Sequence, residues 1–500
     1  MDIKTVKDAY PLSPLQQGML FHHLYARRSG VDIEQIICAL HEDLQISALD
    51  QAWQRIIAHH PALRTSFRWE GLDEPVQQVH DFIAVPLQAQ DWREFSSAEQ
   101  KARLQSYLQT DRLSGFDLAE APLMRLALFR VGAADYRLVW SFHHILLDGR
   151  SFPLILKEVF ALYEAIRQGQ GMALPPARPY RDYINWVYEQ DWSQAETFWR
   201  DRLKDYTSPL VLGNQTGFSQ EAGYGRSQTS LSASLTATLK SFAGQHELTL
   251  NTLMQGAWAL LVSRYSGQQD VVFGATRACR RSALDGAEDM IGLLINTLPV
   301  RVRISSETSL LAWLQELRAQ QIAVREYELT PLAEVQGWSE LPRGTQLFES
   351  LLVFENYQLN ALLQAQGGDW QWRQFQYLGQ TNYPLTVLCY AEQELLIQIE
   401  YDQARFDDAA ITRMLGHLET LLAGMADNAQ RRLCDYPLLT KAERAQLLVE
   451  WNATEVAYPS QVSLHGLFEK QVEKTPDRLA LDGAMLALKR SKALRYLRLR

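Results

Sequence analysis

The chain has 500 residues, of which 47% are hydrophobic and 21% are charged, with 58 acidic against 49 basic residues. This composition is typical of a folded protein and excludes a disordered tail. The length predicts at least two lobes, because a single core rarely grows so large. The net charge of -9 argues against nucleic acid as the main ligand, which would require a basic face.

The cysteines and the hydropathy of the chain indicate in which cell compartment the protein is located. The four cysteines lie far apart in the sequence, and none has a spacing typical of a metal site or a disulfide framework. The N-terminus has no apolar signal core, and no apolar run approaches the roughly 20 residues that span a bilayer. We therefore expect a soluble cytoplasmic protein with free thiols, no bound metal and no membrane contact.

The first 174 residues alternate between helix and strand signals. Ser13-Pro14 predicts the start of a helix. Ser47, with Asp50 three residues later, predicts a capping box for a helix that ends near His59. Strands are expected at 33–41, 64–69, 76–80, 123–131 and 136–144, and further helices at 97–110 and 152–166.

A segment rich in glycine and proline, residues 168–180, is the best candidate for a connection between two lobes. We therefore assign residues 1–174 to the first lobe and 175–440 to the second. The second lobe is expected to contain helices at 181–205, 249–265, 309–327 and 407–428, and strands at 270–276, 350–356, 383–390 and 394–401. Residues 441–500 form a third region, with a short helix, an extended linker and a further helix.

The chain ends in a basic segment, in which six of the last 12 residues are Lys or Arg. Such a segment can indicate a tail that binds a membrane or nucleic acid. Because short basic patterns give many false positives, we favour the end of a fragment over a binding tail.

The segment SFHHILLDGRSF, residues 141–152, carries the strongest chemical signal. Successive side chains of a strand point to opposite faces, so His143 and His144 do not easily share a metal ion. One reactive imidazole, able to accept a proton near neutral pH, beside a structural neighbour is the better interpretation. Asp148 is well placed to hold the loop. Gly149 allows close approach or a positive φ, and an N–H group there could face an oxyanion.

Other chemistry finds little support in the sequence. The histidine pairs His22-His23 and His59-His60 lie on predicted helices, and we expect them to be surface or packing residues. There is no nucleophile elbow, zinc-protease motif, phosphate-binding loop or dinucleotide fingerprint. No serine or cysteine has recognisable catalytic partners, so we expect direct transfer between two bound substrates without a covalent enzyme intermediate.

Eight further segments accompany HHILLDG, in order, along residues 8–440. They are YPLSPLQQGMLFH (10–22), HHPALRTSF (59–67), PYRDYINWVYEQD (179–191), FWRDRL (198–203), DVVFGATRACRR (270–281), MIGLLINTLPVRV (290–302), FESLLVFENY (348–357) and NYPL (382–385). Together they resemble the condensation domains of nonribosomal peptide synthetases, in the chloramphenicol-acetyltransferase-like superfamily. Residues 440–482 resemble the linker and first helix of a following adenylation domain, whose later motifs are absent.

The resemblance implies an α/β (α+β) fold of two acetyltransferase-like lobes, in a V-shaped pseudodimer with a central active-site tunnel. It implies two partners, a donor and an acceptor peptidyl carrier protein, which each insert a phosphopantetheine arm, and an adjacent adenylation domain. We expect no cofactor on the chain itself. The acceptor amine would attack the donor thioester, and bringing two tethered substrates together would supply much of the catalysis. The isolated domain is expected to be monomeric.

The resemblance also assigns residue roles. His144, the second histidine of the motif, would either take the amine proton or orient the amine, and both roles stay open. His143 would be structural, and Asp148 would form a buried salt bridge with Arg280 of the second lobe. Gly149 would line the site. Three further residues match the tunnel or the lobe-bridging elements, with simple packing as the alternative: Asn296, Tyr383 and Pro384.

Two departures from the family pattern concern the tunnel and the docking face. Arg150 stands where tryptophan is common, and RACRR (277–281) replaces Ser-Gly-Arg. HHLYARRSG (22–30) partly resembles the extended histidine motif of dual condensation/epimerisation domains, but its spacing differs and its Asp is missing. Plain condensation is therefore favoured. Epimerisation, ester formation, acyl transfer to a soluble amine and a non-catalytic carrier-recruiting module are the alternatives.

Overall fold

The computed structural model describes residues 5–25, 30–213, 223–280, 284–356, 358–455, 462–481 and 488–489. The chain divides into two compact units, of which the first ends at Leu438 and the second begins at Leu439. Most of the basic end, from residue 490 on, lies outside the described residues, as do residues 26–29 of HHLYARRSG and residue 281 of RACRR.

The first unit contains most of the regular structure. Its strands are β1 (Val6–Pro11), β2 (Ile33–His41), β3 (Thr65–Arg68), β4 (Val76–His80), β5 (Leu87–Asp91), β6 (Met124–Arg130), β7 (Asp135–His143), β8 (Tyr224–Leu231), β9 (Asp270–Ala278), β10 (Ile295–Arg303), β11 (Ser350–Glu355), β12 (Arg373–Leu378), β13 (Leu385–Ala391) and β14 (Leu395–Asp402). Its helices are α1 (Pro14–Tyr25), α2 (Ile46–His59), α3 (Ser97–Ser114), α4 (Ser151–Arg167), α5 (Tyr180–Tyr188), α6 (Ser193–Leu203), α7 (Ala233–Gln245), α8 (Leu250–Ser266), α9 (Leu310–Ala323), α10 (Leu332–Gly337), α11 (Leu359–Gln364) and α12 (Asp408–Asp427).

The second unit is small. It contains α13 (Lys441–Ala445), a π-helical turn at Gln446–Glu450, α14 (Leu464–Lys474) and the short pair β15 (Leu479–Leu481) and β16 (Leu488–Lys489). In neither unit is any described helix both long enough and apolar enough to cross a lipid bilayer.

Two mixed sheets organise the first unit, one of five strands in the order β12-β2-β7-β6-β5 and one of six in the order β10-β9-β11-β13-β14-β8. Helices α2 and α4 cover one face of the five-stranded sheet. Leu49, Trp53 and Ile56 recur at helical spacing, so they form one buried stripe on α2. The ring of Trp53 meets Trp140 of β7 edge-on, with centroids 5.0 Å apart.

The six-stranded sheet has its own core. Helices α8 and α12 pack against it and against each other, and both contribute fully buried side chains. Trp258 of α8 donates its indole N–H to Ser350 Oγ of β11, at 3.3 Å.

Strand β12 belongs to the second half of the sequence but completes the sheet of the first half. It pairs antiparallel with β2, with Tyr377 opposite Ile36. Arg373 anchors its start, because the buried guanidinium donates to Glu42 at 2.7 Å and also to Glu164. The lobe boundary at residues 174 and 175 stays a prediction, and the five-stranded sheet contains residues from both sides of it.

Local signals predicted most helices and strands of this unit. The elements that they did not predict are β1, β5, β8, β10, β12, α7, α10 and α11. Three of the predictions that were made also differ from the structure. The capping box at Ser47 is wrong, because α2 begins at Ile46 and its N-cap, Gln45, accepts no side-chain cap bond. The helix predicted at 181–205 is two helices, α5 and α6. The strand predicted to include residue 144 ends at His143, and the next residue begins a single 3₁₀ turn.

Candidate active site

The His143-His144 pair lies where β7 ends. The backbone N–H of His144 donates to the carbonyl of Asp32, just before the neighbouring strand β2, at 2.7 Å. Its ring Nδ1 lies 2.7 Å from the Leu147 carbonyl oxygen. A carbonyl only accepts hydrogen bonds, so Nδ1 carries the hydrogen and Nε2 is the ring atom left to exchange a proton. The half-buried ring lines a large cavity.

His143 has a different environment. The side chain is buried, and its Nδ1 accepts the Ile145 N–H at 3.1 Å. The ring of His23, from α1, packs edge-on against it with centroids 5.7 Å apart. Burial lowers the pKa of His143 well below its ordinary value, and the neighbouring imidazoles His23 and His144 act in the same direction. This imidazole therefore stays neutral near pH 7.

Asp148 and Arg280 are in contact. Asp148 Oδ1 lies 2.7 Å from Arg280 Nη2, and both side chains are almost wholly buried. The same Oδ1 accepts the N–H and Oγ–H of Ser151, while Oδ2 accepts the Leu294 N–H at 2.9 Å. Arg280 also donates to the carbonyls of Ala287 and Met290. This carboxylate is fully occupied in holding the loop before α4 to the segment after β9.

Gly149 is exposed and lines the same cavity as His144. A Cβ atom there would meet only Glu355 Oε1, at 3.5 Å, among atoms of the described residues. The residue does not have a positive φ. Glycine at this position therefore leaves open space in the site, and its backbone conformation does not itself require glycine.

A cavity of about 1390 Å³ lies between the two large sheets, and its walls include parts of α1 and α10. Asn296 and Tyr383 line it together with His144. Asn296 donates both amide hydrogens to the carbonyls of Glu328 and Thr330, so it holds a neighbouring loop. The Tyr383 ring stacks on Phe348 with centroids 5.3 Å apart. Pro384 lies behind this wall, where its carbonyl accepts the Asp402 N–H.

Two acidic residues of the site were missed by the sequence interpretation. Asp32 and Glu34 flank the first residue of β2 and line the cavity together with His144. Asp32 has a left-handed backbone, φ 61°, and its N–H donates to Gln380 at 3.2 Å. Such a conformation in a residue other than glycine is uncommon and often occurs at functional sites. The available signal was the pair of acidic residues at the start of the apolar strand IEQIICAL.

These carboxylates change the acid–base properties of the site. Burial by itself would lower the pKa of His144, but the charges of Glu34 and Asp32 outweigh it and raise that pKa. The Leu147 carbonyl and Asp148 act in the same upward direction. Burial raises the pKa of Asp32 to about 7, against the opposing effect of the His144 imidazole.

The pair His22-His23 on α1 is closer to the site than predicted. His22 lines the cavity, and its Nε2 lies 3.0 Å from Asn382 Nδ2. His23 contacts His143, as described above. No group of three or more His, Cys, Asp or Glu side chains in the described ranges could hold a metal ion.

The comparison with known families decides the classification. A model of the condensation domain matches residues 6–448. The chain belongs to the condensation-domain family. Condensation domains are acyltransferases that form peptide bonds in nonribosomal peptide synthetases, so the family and the enzyme class predicted from the sequence are confirmed.

Individual relatives agree with this family. One component of the linear gramicidin synthase of Brevibacillus parabrevis is 44% identical to this condensation domain over 482 residues, or 96% of the chain and 6% of that relative. Tyrocidine synthase 2 of the same organism is 33% identical over 483 residues, or 96% of the chain and 13% of that relative. The condensation domain thus spans only a small part of the length of these relatives.

Solved structures establish the fold. The starter condensation domain of rhizomide synthetase has a TM-score of 0.72 at 18% identity, over 86% of this chain and 98% of that chain. A four-domain nonribosomal peptide synthetase bound to AMP and glycine has a TM-score of 0.76 at 17% identity, over 99% of this chain and 39% of that chain. The predicted mixed α/β fold of the acetyltransferase-like type is confirmed.

Proposed function

We propose that this condensation domain forms an amide bond between two carrier-bound thioesters. The amine nitrogen of an acceptor aminoacyl thioester attacks the carbonyl carbon of a donor acyl or peptidyl thioester. The C–N bond forms, the C–S bond breaks, and the amine proton passes through His144 to the departing sulfur, which leaves as a free thiol. The lengthened product remains on the acceptor arm.

The observation that carries this proposal is the fixed imidazole of His144. Its Nδ1–H is held by the Leu147 carbonyl, so Nε2 is the atom that can take a proton. The ring lines a cavity whose walls come from both large sheets, with room for two reacting groups. Because two tethered substrates meet there, positioning supplies much of the rate enhancement.

The other predicted residues have supporting roles in this reaction. Asp148 and Arg280 hold the loop that carries His144, and the neutral His143 fixes the end of β7. Gly149 leaves space beside the reacting carbonyl. Asn296 and Tyr383 form part of the cavity wall, and Pro384 adjoins that wall.

The partners of this reaction are a donor and an acceptor peptidyl carrier protein, each of which delivers a phosphopantetheine arm. We assign residues 1–174 and 175–440 to two lobes, and residues 441–500 to a linker and the start of an adenylation domain. The similarity to a four-domain synthetase over 99% of the chain supports this last assignment. A monomer in the cytoplasm, without nucleic acid or membrane, completes the proposal.

A reconstituted assay tests the function. Donor and acceptor carriers loaded with varied thioesters are mixed with the 500-residue chain, and the acceptor carrier is analysed by intact-protein mass spectrometry. We expect an amide-linked product, and a loss of about 100-fold or more in its rate for His144→Ala. His41→Ala, which removes an imidazole from the opposite end of β2, serves as the matched control and should retain activity.

The same assay separates the alternatives. Full turnover by His144→Ala contradicts the role given to this residue. An epimerised aminoacyl group, an ester or a product on a soluble amine contradicts condensation between two carriers. Carrier binding without turnover on a broad panel of donors would favour a recruiting module.

A further inference from the structure

Glu34 is a buried carboxylate near the start of β2. It lies opposite Phe142 in the β2–β7 pairing, so both side chains point to the same side of the sheet. Its side chain is only 2% exposed and lines the cavity together with His144. The Phe152 and Tyr377 rings, which stack with centroids 5.2 Å apart, line the same cavity.

The charge of Glu34 is not neutralised by direct contact. Within the described ranges, its Oε2 has no hydrogen-bond partner and neither oxygen takes part in an ion pair. Arg226 lies across the cavity but is paired with Glu400 at 2.5 Å. Arg112 is near but donates its hydrogens to oxygens of Gly30, Ile33, Gln35 and Leu378.

One neutral hydroxyl lies beside the carboxylate. A Cβ atom added at Gly379 would meet both the Tyr377 hydroxyl, on the neighbouring strand β12, and Glu34 Oε2. Burial and this carboxylate raise the pKa of Tyr377 well above its ordinary value, so the hydroxyl keeps its proton. A carboxylate with an oxygen that has no hydrogen-bond partner among the described residues is costly to bury, and the fold gains no ion pair in return.

The imidazole of His144 and the side chain of Glu34 line the same cavity. The titratable groups around the imidazole are Asp32 just before β2, Glu34 from β2, Asp148 from the loop before α4, and the adjacent His143. Asp148 is paired with Arg280 in a salt bridge, and burial favours the protonated form of Asp32. Glu34 is thus the carboxylate near this imidazole that has no ion-pair partner among the described residues, and its charge raises the pKa of His144.

We propose that Glu34 is a positioning residue for His144, whose carboxylate stabilises the imidazolium that forms when the imidazole takes the proton of the attacking amine. The inference rests on the proposed condensation reaction. The proton moves from the amine nitrogen to His144 Nε2 as the C–N bond forms, and then to the departing sulfur as the C–S bond breaks. Glu34 takes up no proton and touches neither substrate.

Histidine titration tests the inference without any substrate. The 500-residue chain is labelled at histidine Cε1, and NMR follows each signal from about pH 5 to about pH 9. His144→Gln identifies the relevant signal. We expect Glu34→Gln to lower the pKa of His144 by at least about one pH unit, and Glu34→Asp to lower it less, because the charge is kept.

Glu42→Gln is the matched control, since it makes the same chemical change beyond the other end of β2, where Glu42 is paired with Arg373. It should weaken the fold and leave the pKa of His144 unchanged. Tyr377→Phe provides a second test that keeps the carboxylate in place. Loss of the hydroxyl beside the carboxylate should shift the same pKa less than Glu34→Gln does.

The reconstituted assay supplies the functional measurement. In Glu34→Gln, the limb of the rate–pH profile that depends on His144 should move to lower pH. The rate on the plateau above this limb should fall, because a less basic imidazole accepts the amine proton less readily. An unchanged His144 titration in Glu34→Gln, or an equal change in Glu42→Gln, overturns the inference. Absence of any amide product from the wild-type chain would instead overturn the proposed function, whatever the titration shows.

Discussion

Two buried acidic regions flank His144, and they differ in how their charge is satisfied. In the loop before α4, Asp148 uses both oxygens and is paired with Arg280. At the start of β2, Glu34 has an oxygen without a partner among the described residues, and Asp32 has strained backbone. A satisfied carboxylate stabilises structure, whereas an unsatisfied one raises the free energy of the fold and remains available to influence a neighbouring charge.

The largest expected effect on stability is at Asp148, the carboxylate that is paired with an arginine. Asp148→Asn keeps the shape of the side chain but leaves the buried guanidinium of Arg280 without its counter-charge. We expect the free energy of unfolding to fall by about 3–5 kcal/mol, as measured by urea denaturation. The double variant with Arg280→Met should recover part of this loss. A change below about 1 kcal/mol would show that the pair contributes no more than an exposed salt bridge.

An intermediate effect concerns Asp32 and depends on pH. Burial raises its pKa to about 7 from about 3.9 in an unfolded chain, so its contribution to stability is present below about pH 4 and is lost as pH rises to about 7. Asp32→Asn tolerates the left-handed backbone and lacks this titration. The variant should gain stability relative to the wild type across this range, by up to about 1.4 kcal/mol per pH unit.

Thermal denaturation at a series of pH values measures this difference. The two proteins should have similar stability at acidic pH and diverge towards neutral pH. Parallel curves would mean that Asp32 is not desolvated in the folded chain.

The smallest expected effect on stability is that of Glu34→Gln. Since the carboxylate has no ion-pair partner in the described part of the chain, its neutral isostere should change the free energy of unfolding by less than about 1 kcal/mol, or increase it. Urea denaturation of Glu34→Gln and Asp148→Asn side by side compares the free energies of unfolding of the two variants directly. A loss equal to that of Asp148→Asn would place Glu34 among the structural carboxylates.

The sequence predicted those parts of the site that follow from local order. A strand, HHILLDG and an amphipathic helix are consecutive, so the ends of β7 and α4 could be assigned without tertiary information. The contact between Asp148 and Arg280 was expected from the family resemblance. Arg280 by itself carries no local signal of burial.

The other parts of the site could not be predicted, because they depend on contacts between residues that are distant in the sequence. Nothing near Tyr377 predicts that it pairs with Ile36, because this pairing is set by the packing of the whole sheet. The roles of Asp32 and Glu34 arise in the same way, since their neighbours come from β7 and β12. An acidic residue in an apolar strand was a visible signal, but the chemistry that it serves required the structure.

The crossing of β12 has a consequence for dissection of the protein. A polypeptide cut after residue 174 would lack β12 and expose the long edge of β2, from Ile33 to His41, with its backbone N–H and C=O groups unsatisfied. Exposed apolar edges of this kind recruit further strands and promote aggregation. Residues 1–174 alone are therefore not a self-sufficient folding module, and experiments on this part of the protein need β12 as well.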